Sequence, residues 1–200
     1  MTSLRCLPGL VFFAVWGWAA HAAAQAPAQA PVEALAARPS RESRPFFIGG
    51  ELGWNGLSGL GAHFAYHVVP RLALDAGLGL SLTGLRAGAG ARFNFLTSSW
   101  TPFVGGGFSY ALGSGAKPVE TTLKGDTVKF QVLRSPFLDL TTGVNYTGAD
   151  GFAFTATTGY AILLRDHNTH YVEGSRQAFD DVRGIYKGGL VLALAVGYAF

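Results

Sequence analysis

The sequence predicts an all-β chain, an eight-stranded antiparallel up-and-down transmembrane β-barrel, on three observations. From Phe46 onward, apolar residues alternate with small or polar ones in strand-length segments broken by Gly, Pro, Ser, Asn and Asp. The composition combines 28 Gly, 15 Phe, 7 Tyr and 4 Trp with only 14% charged residues, a mixture rare in water-soluble domains. The segment Gly188–Phe200 reads G-G-L-V-L-A-L-A-V-G-Y-A-F, carries no charge, and places Leu190, Leu192, Leu194, Val196, Tyr198 and Phe200 on one face. As a helix it would rise only about 20 Å against a hydrocarbon core of roughly 30 Å. A strand tilted by about 45° covers that thickness.

In chain order, Arg5 precedes an apolar run from Leu7 to Ala20, and Ala22–Ala24 follow. A short basic start, a core too short to span as a helix and small residues at the end describe a secretory signal over residues 1–24, cut before Gln25. The single cysteine, Cys6, lies within it, so the processed chain has no disulfide, thiol chemistry or thiolate metal site. Removing Arg5 takes the formal charge from +3 to +2, too little for a nucleic-acid partner. Residues 25–45, rich in Ala and Pro and then basic, read as a flexible periplasmic tail.

Residues 46–200 form the barrel domain. Strands are expected near 46–54, 59–67, 71–81, 85–95, 101–112, 132–146, 152–164 and 188–200. Val68–Pro70, Leu96–Trp100 and Thr147–Gly151 read as tight turns on one side. On the other side Asn55–Ser58 and Leu82–Gly84 are short, whereas Gly113–Gln131 and Arg165–Lys187 are long, polar and expected to be mobile at the surface. Within the first, Thr121–Leu123 and Thr127–Gln131 are β-prone and could lengthen the flanking strands as a hairpin. An even strand count puts both barrel termini on the short-turn, periplasmic side.

One face of the strands carries large uncharged residues such as Leu52, Phe64, Leu78, Phe108, Leu140 and Tyr160; the other carries mostly Gly, Ala and Thr. A lipocalin would have the apolar face inside, but its water-facing exterior would be dense in Lys, Glu, Ser and Thr. Small residues with a few ionic groups suit the narrow lumen of eight strands instead. Aromatics gather at the strand ends as two girdles: Phe46, Tyr66, Phe93, Phe95, Tyr146, Phe152, Tyr198 and Phe200 at one, Trp54, Tyr110 and Tyr160 at the other. The lumen then holds Glu51, His63, Asp75, Arg86, Arg92 and Asp139, near charge balance, as a structural ionic network. Pairing about Asn55–Ser58 sets Glu51 opposite His63, and pairing about Leu82–Leu85 sets Asp75 opposite Arg92.

His167, His170, Glu173 and Ser175 are the parts of an acyl-transfer site, but they share one polar loop without a recognisable motif. No catalytic residue, metal ligand or cofactor is assigned. The Gly49-Gly50 and Gly105–Gly107 runs precede neither a helix nor a Lys-Ser/Thr pair, so they are not phosphate loops.

With its leader, its alternating strands and a final strand ending Tyr198-Ala199-Phe200, the whole of 46–200 resembles the small eight-stranded bacterial outer-membrane proteins of the OmpA-transmembrane-domain and OmpX kind. The resemblance implies a monomer in the outer membrane of a Gram-negative bacterium, surrounded by lipid and lipopolysaccharide. It also implies that Tyr198 and Phe200 are read by the barrel-assembly machinery. The expected function is non-enzymatic: envelope structure, adhesion or contact with an external ligand or host surface through residues 113–131 and 165–187. The alternatives are a lipid A-modifying enzyme and a narrow porter for small or hydrophobic ligands.

Overall fold

A computed structural model describes residues 40–123 and 125–200; the expected leader over 1–24, with Cys6, and the tail through residue 39 lie outside them. The single turn α1 (Ser40–Ser43) comes first. The strands are β1 (Phe46–Trp54), β2 (Leu60–Val69), β3 (Leu72–Ser81), β4 (Gly84–Asn94), β5 (Trp100–Ala111), β6 (Val119–Leu123), β7 (Asp126–Val132), β8 (Ser135–Thr147), β9 (Phe152–Leu163), β10 (Thr169–Gly174) and β11 (Gly188–Ala199), and α2 (Arg176–Tyr186) precedes the last.

Eight of these strands, β1–β5, β8, β9 and β11, close into an antiparallel up-and-down barrel in which each pairs with the next along the chain. The seam runs from Phe47 opposite Ala199 to Trp54 opposite Leu192. At its end the Phe46 and Phe200 backbones exchange N–H···O bonds of 3.1 and 2.9 Å. Closure leaves no barrel edge with unpaired backbone groups. The barrel strands lie within three residues of the expected positions; the expected 132–146 is Ser135–Thr147, because Val132 belongs to β7.

Both hairpin registers differ from expectation by two residues. His63 faces Gly49 and Glu51 faces Gly61, and the ladder stops at Leu52–Leu60 because Asn55–Gly59 folds as a broad loop rather than a four-residue turn. Arg92 faces Ala73 and Asp75 faces Gly90, because Ser81 pairs directly with Gly84 across a two-residue turn.

The long connections carry secondary structure of their own rather than running as open loops. β6 and β7 are the foreseen β-prone hairpin, yet they do not lengthen β5 and β8; with β10 they form a separate three-stranded sheet in the order β10-β7-β6. Val128, Phe130 and Val132 alternate on one face of β7 and pack on Ala178 and Val182, one turn apart on α2. Val119, Leu123, Tyr171, Phe179 and Tyr186 surround them. Ser175 caps α2, its hydroxyl accepting from the Ala178 amide at 3.3 Å. A small folded head thus sits beyond the barrel end opposite Phe46 and Phe200.

The barrel is apolar outside and polar inside. Leu52 is 67% exposed, Leu140 52% and Tyr160 58%, whereas Arg86 is fully buried. The aromatics at the Phe46 end form neighbouring groups: Phe46 with Tyr66 (4.8 Å between ring centres) and Phe200 (6.2 Å), and Trp100 with Tyr146 (4.8 Å).

Candidate functional site

Glu51, His63, Asp75 and Arg92 come from four consecutive strands, β1 to β4, and meet in the lumen. Their parity with Gly49, Gly77 and Gly90 turns them inward. His63 Nδ1 lies 2.8 Å from Glu51 Oε2, and its Nε2 lies 3.1 Å from Asp75 Oδ1. Both contacts are hydrogen bonds only for the doubly protonated ring. Arg92 Nη2 stands 3.2 Å from the same Asp75 oxygen, and its Nη1 donates across the lumen to Thr155 Oγ1 at 3.0 Å. Two carboxylates, one imidazole and one guanidinium therefore form a continuous chain. Both expected pairs are in contact although neither is directly cross-strand, since long side chains reach the diagonal neighbour.

Arg86, Ser109 and Asp139 form a second cluster from β4, β5 and β8. Arg86 Nη2 donates to Ser109 Oγ at 2.6 Å and to Asp139 Oδ1 at 3.1 Å; Ser109 in turn donates to Asp139 Oδ2 at 2.6 Å. The guanidinium lies 4.7 Å from the centre of the Phe137 ring. All six expected ionic residues thus face the lumen, in two groups.

The lumen is closed from both ends. Asn55–Gly59 folds inward, held by Glu51 Oε1, which accepts from the Ser58 amide at 2.9 Å and the Gly59 amide at 3.2 Å. Leu57 and Ser58 fit because Gly88 and Gly77 face them; a Cβ on either would stand 2.9 Å from Leu57 Cδ1 or 3.1 Å from Ser58 Cβ. Beneath this loop a cavity of about 60 Å³ remains among Glu51, Leu57, His63, Asp75, Arg92 and Phe103. Substituting Glu51→Ala should speed hydrogen exchange of the Ser58 and Gly59 amides about ten- to hundredfold, the loss of a charged hydrogen bond of roughly 1.5–3 kcal/mol. Unchanged exchange would mean that packing alone holds the loop.

At the other end the last residues of the expected flexible tail, from Arg41 on, are anchored. Arg41 is fully buried, its Nη1 donating to Ser98 O at 2.7 Å and its Nη2 to Ser99 O at 2.9 Å. Burial, and secondarily the Arg92 charge, lower its guanidinium to about 10, so it remains charged at neutral pH. The flexible-tail description therefore fails for the residues just before β1, where the turn between β4 and β5 leaves the Ser98 and Ser99 carbonyl oxygens facing inward for a guanidinium to collect.

Several lumen residues escaped the sequence reading. Phe47, Phe103 and Phe137 are buried and share inward parity with Glu51, Gly105 and Asp139, so alternation could have found them. Leu57 and Arg41 lie off the barrel strands, where no periodic signal exists. Elsewhere, Glu173 pairs with Lys129 at 3.5 Å and Ser175 serves as the α2 cap. His167 and His170 are exposed, and among the described residues no hydrogen bond joins either to Ser175. Gly49-Gly50 and Gly105–Gly107 lie within β1 and β5. Tyr198 and Phe200 point outward at the seam, where the Tyr198 hydroxyl donates to Asp150 O. No family model and no curated protein matches the chain.

Proposed function

We propose that the protein is a non-enzymatic, monomeric outer-membrane barrel whose lumen is a structural ionic core and whose folded head makes contacts outside the cell. The observation that carries this reading is the inversion of the barrel: large apolar side chains exposed around eight closed strands, with charged groups inside. An apolar exterior bounded by aromatics is stable against lipid, and a closed sheet satisfies every barrel backbone group there. Lipid and lipopolysaccharide are then its immediate surroundings. The barrel-assembly machinery is its folding partner, with Tyr198 and Phe200 on the closing strand as the recognised aromatics. Envelope structure, adhesion or binding of an external ligand falls to the head, because loops on a rigid barrel carry contacts without disturbing it.

Two outcomes are expected. Unboiled protein should migrate differently from boiled protein on a denaturing gel and should sediment with outer membranes. Identical migration together with a soluble distribution would refute the membrane assignment. In planar bilayers the protein should show no steady nanosiemens conductance, since inward-folded Asn55–Gly59 and buried Arg41 obstruct opposite ends. A steady open level of that size would refute the structural reading of the lumen and favour the porter.

A further inference from the structure

Where the barrel meets the head, β5, β8 and β9 end side by side, with Ala111 opposite Ser135 and Phe137 opposite Leu163. The outward row of β8 runs from exposed Leu140 and Leu138 to half-buried Pro136, and exposed Arg134 stands just before the strand at that end. Arg165 follows β9, and its Nη1 donates to the backbone oxygen of Arg134 at 2.7 Å, which holds the second cation against the residue that carries the first. Among the described residues neither guanidinium forms an ion pair, and Asp166, although adjacent in sequence, supplies none. Both border a recess of about 520 Å³ with Leu112, Gln131 and Leu133. Leu112 and Leu164, each about half exposed, link it to the apolar belt below.

We propose that Arg134 and Arg165 form a binding site for the phosphate-bearing headgroup of an anionic membrane lipid whose acyl chains lie along Leu112, Leu138 and Leu164. This rests on the membrane reading above and goes beyond it by assigning a lipid class to named residues. Charge complementarity selects the occupant. Two unpaired guanidiniums present forked donors suited to phosphate oxygens, while the adjoining leucines offer nothing to a free hydrophilic anion. Their position at the edge of the apolar belt matches the depth at which headgroup phosphate meets hydrocarbon.

The test reconstitutes the full chain in phosphatidylcholine nanodiscs and titrates diphosphoryl lipid A, dephosphorylated lipid A and inorganic phosphate. The wild type should retain diphosphoryl lipid A in preference to the dephosphorylated form. Arg134→Gln with Arg165→Gln should weaken that binding about tenfold or more. Arg134→Lys with Arg165→Lys should keep most of it and guards against a folding defect in the glutamine pair. Arg71→Gln, at the opposite barrel end, should change nothing. Undiminished binding by the glutamine pair, an equal loss from Arg71→Gln, or inorganic phosphate competing as strongly as the lipid would each overturn the site. A wild type that inserts but shows no preference overturns this proposal alone, whereas one that never enters the bilayer overturns the membrane reading and the site with it.

Discussion

Replacing Arg86 with Met should destabilise the folded barrel by about 3–5 kcal/mol, more than any other single change among the lumen charges. The Arg86 and Asp139 side chains are 0% and 4% exposed, and among the described residues only Arg86 and Ser109 satisfy Asp139. Removing the guanidinium leaves a buried carboxylate with one hydroxyl donor. Changing Asp139 to Asn as well should recover much of the loss, because the stranded charge is gone. Arg92→Ala should cost less: Asp75 keeps His63 at 3.1 Å, and His63 keeps Glu51 at 2.8 Å. Urea titration of detergent-refolded protein, read by gel mobility, measures these three variants and Asp139→Asn alone, which completes the cycle. A cycle without coupling between Arg86 and Asp139, or Arg92→Ala as costly as Arg86→Met, would reject this partition of the lumen.

Phe130→Ala should unfold the head while leaving the barrel closed. Phe130 is fully buried, with its ring centre 5.4 Å from that of Tyr186 and 6.3 Å from that of Phe179. Truncating such a side chain costs about 3–5 kcal/mol, a large share of what a three-stranded sheet and one helix can hold. The barrel ladders use none of these residues, so the gel shift should persist. Trypsin should then cut rapidly at Lys129, Arg176 and Lys187 in the variant and slowly in the wild type. Equally fast cutting in both would restore the mobile-loop expectation, and loss of the gel shift would show that head and barrel fold as one unit.

The barrel was legible because alternation has a fixed period of two and small residues share the inward face with charges, so Glu51, His63, Asp75, Arg86, Arg92 and Asp139 could be assigned without contacts. Their detailed partners were not, because register depends on how a loop folds. Asn55–Gly59 turning into the lumen shifted the first pairing by two residues and placed Leu57 against Gly88 inside the barrel. The head was hidden for a different reason. β6, β7 and β10 are short, of mixed polarity, and β10 meets β7 across the whole of β8 and β9. The alternation of Val128, Phe130 and Val132 hinted at a strand, but nothing local indicates that Ala178 and Val182 cover it. Arg41 left no trace either, since its acceptors are the backbone oxygens of Ser98 and Ser99, which carry no residue signature.

The central claim, that the exposed apolar belt lies in a bilayer, is tested most directly by depth-dependent quenching. Trp54 and Trp100 stand outward at opposite barrel ends, and Leu140 stands outward near the middle of β8. Single-tryptophan proteins would carry Trp54, Trp100, or a tryptophan at position 140 (Leu140→Trp) in vesicles whose lipids are brominated near the headgroup or deep in the acyl chain. Shallow bromine should quench Trp54 and Trp100 most, and deep bromine should quench the position-140 probe most. Emission from the position-140 probe that is typical of water and indifferent to both lipids would contradict the claim.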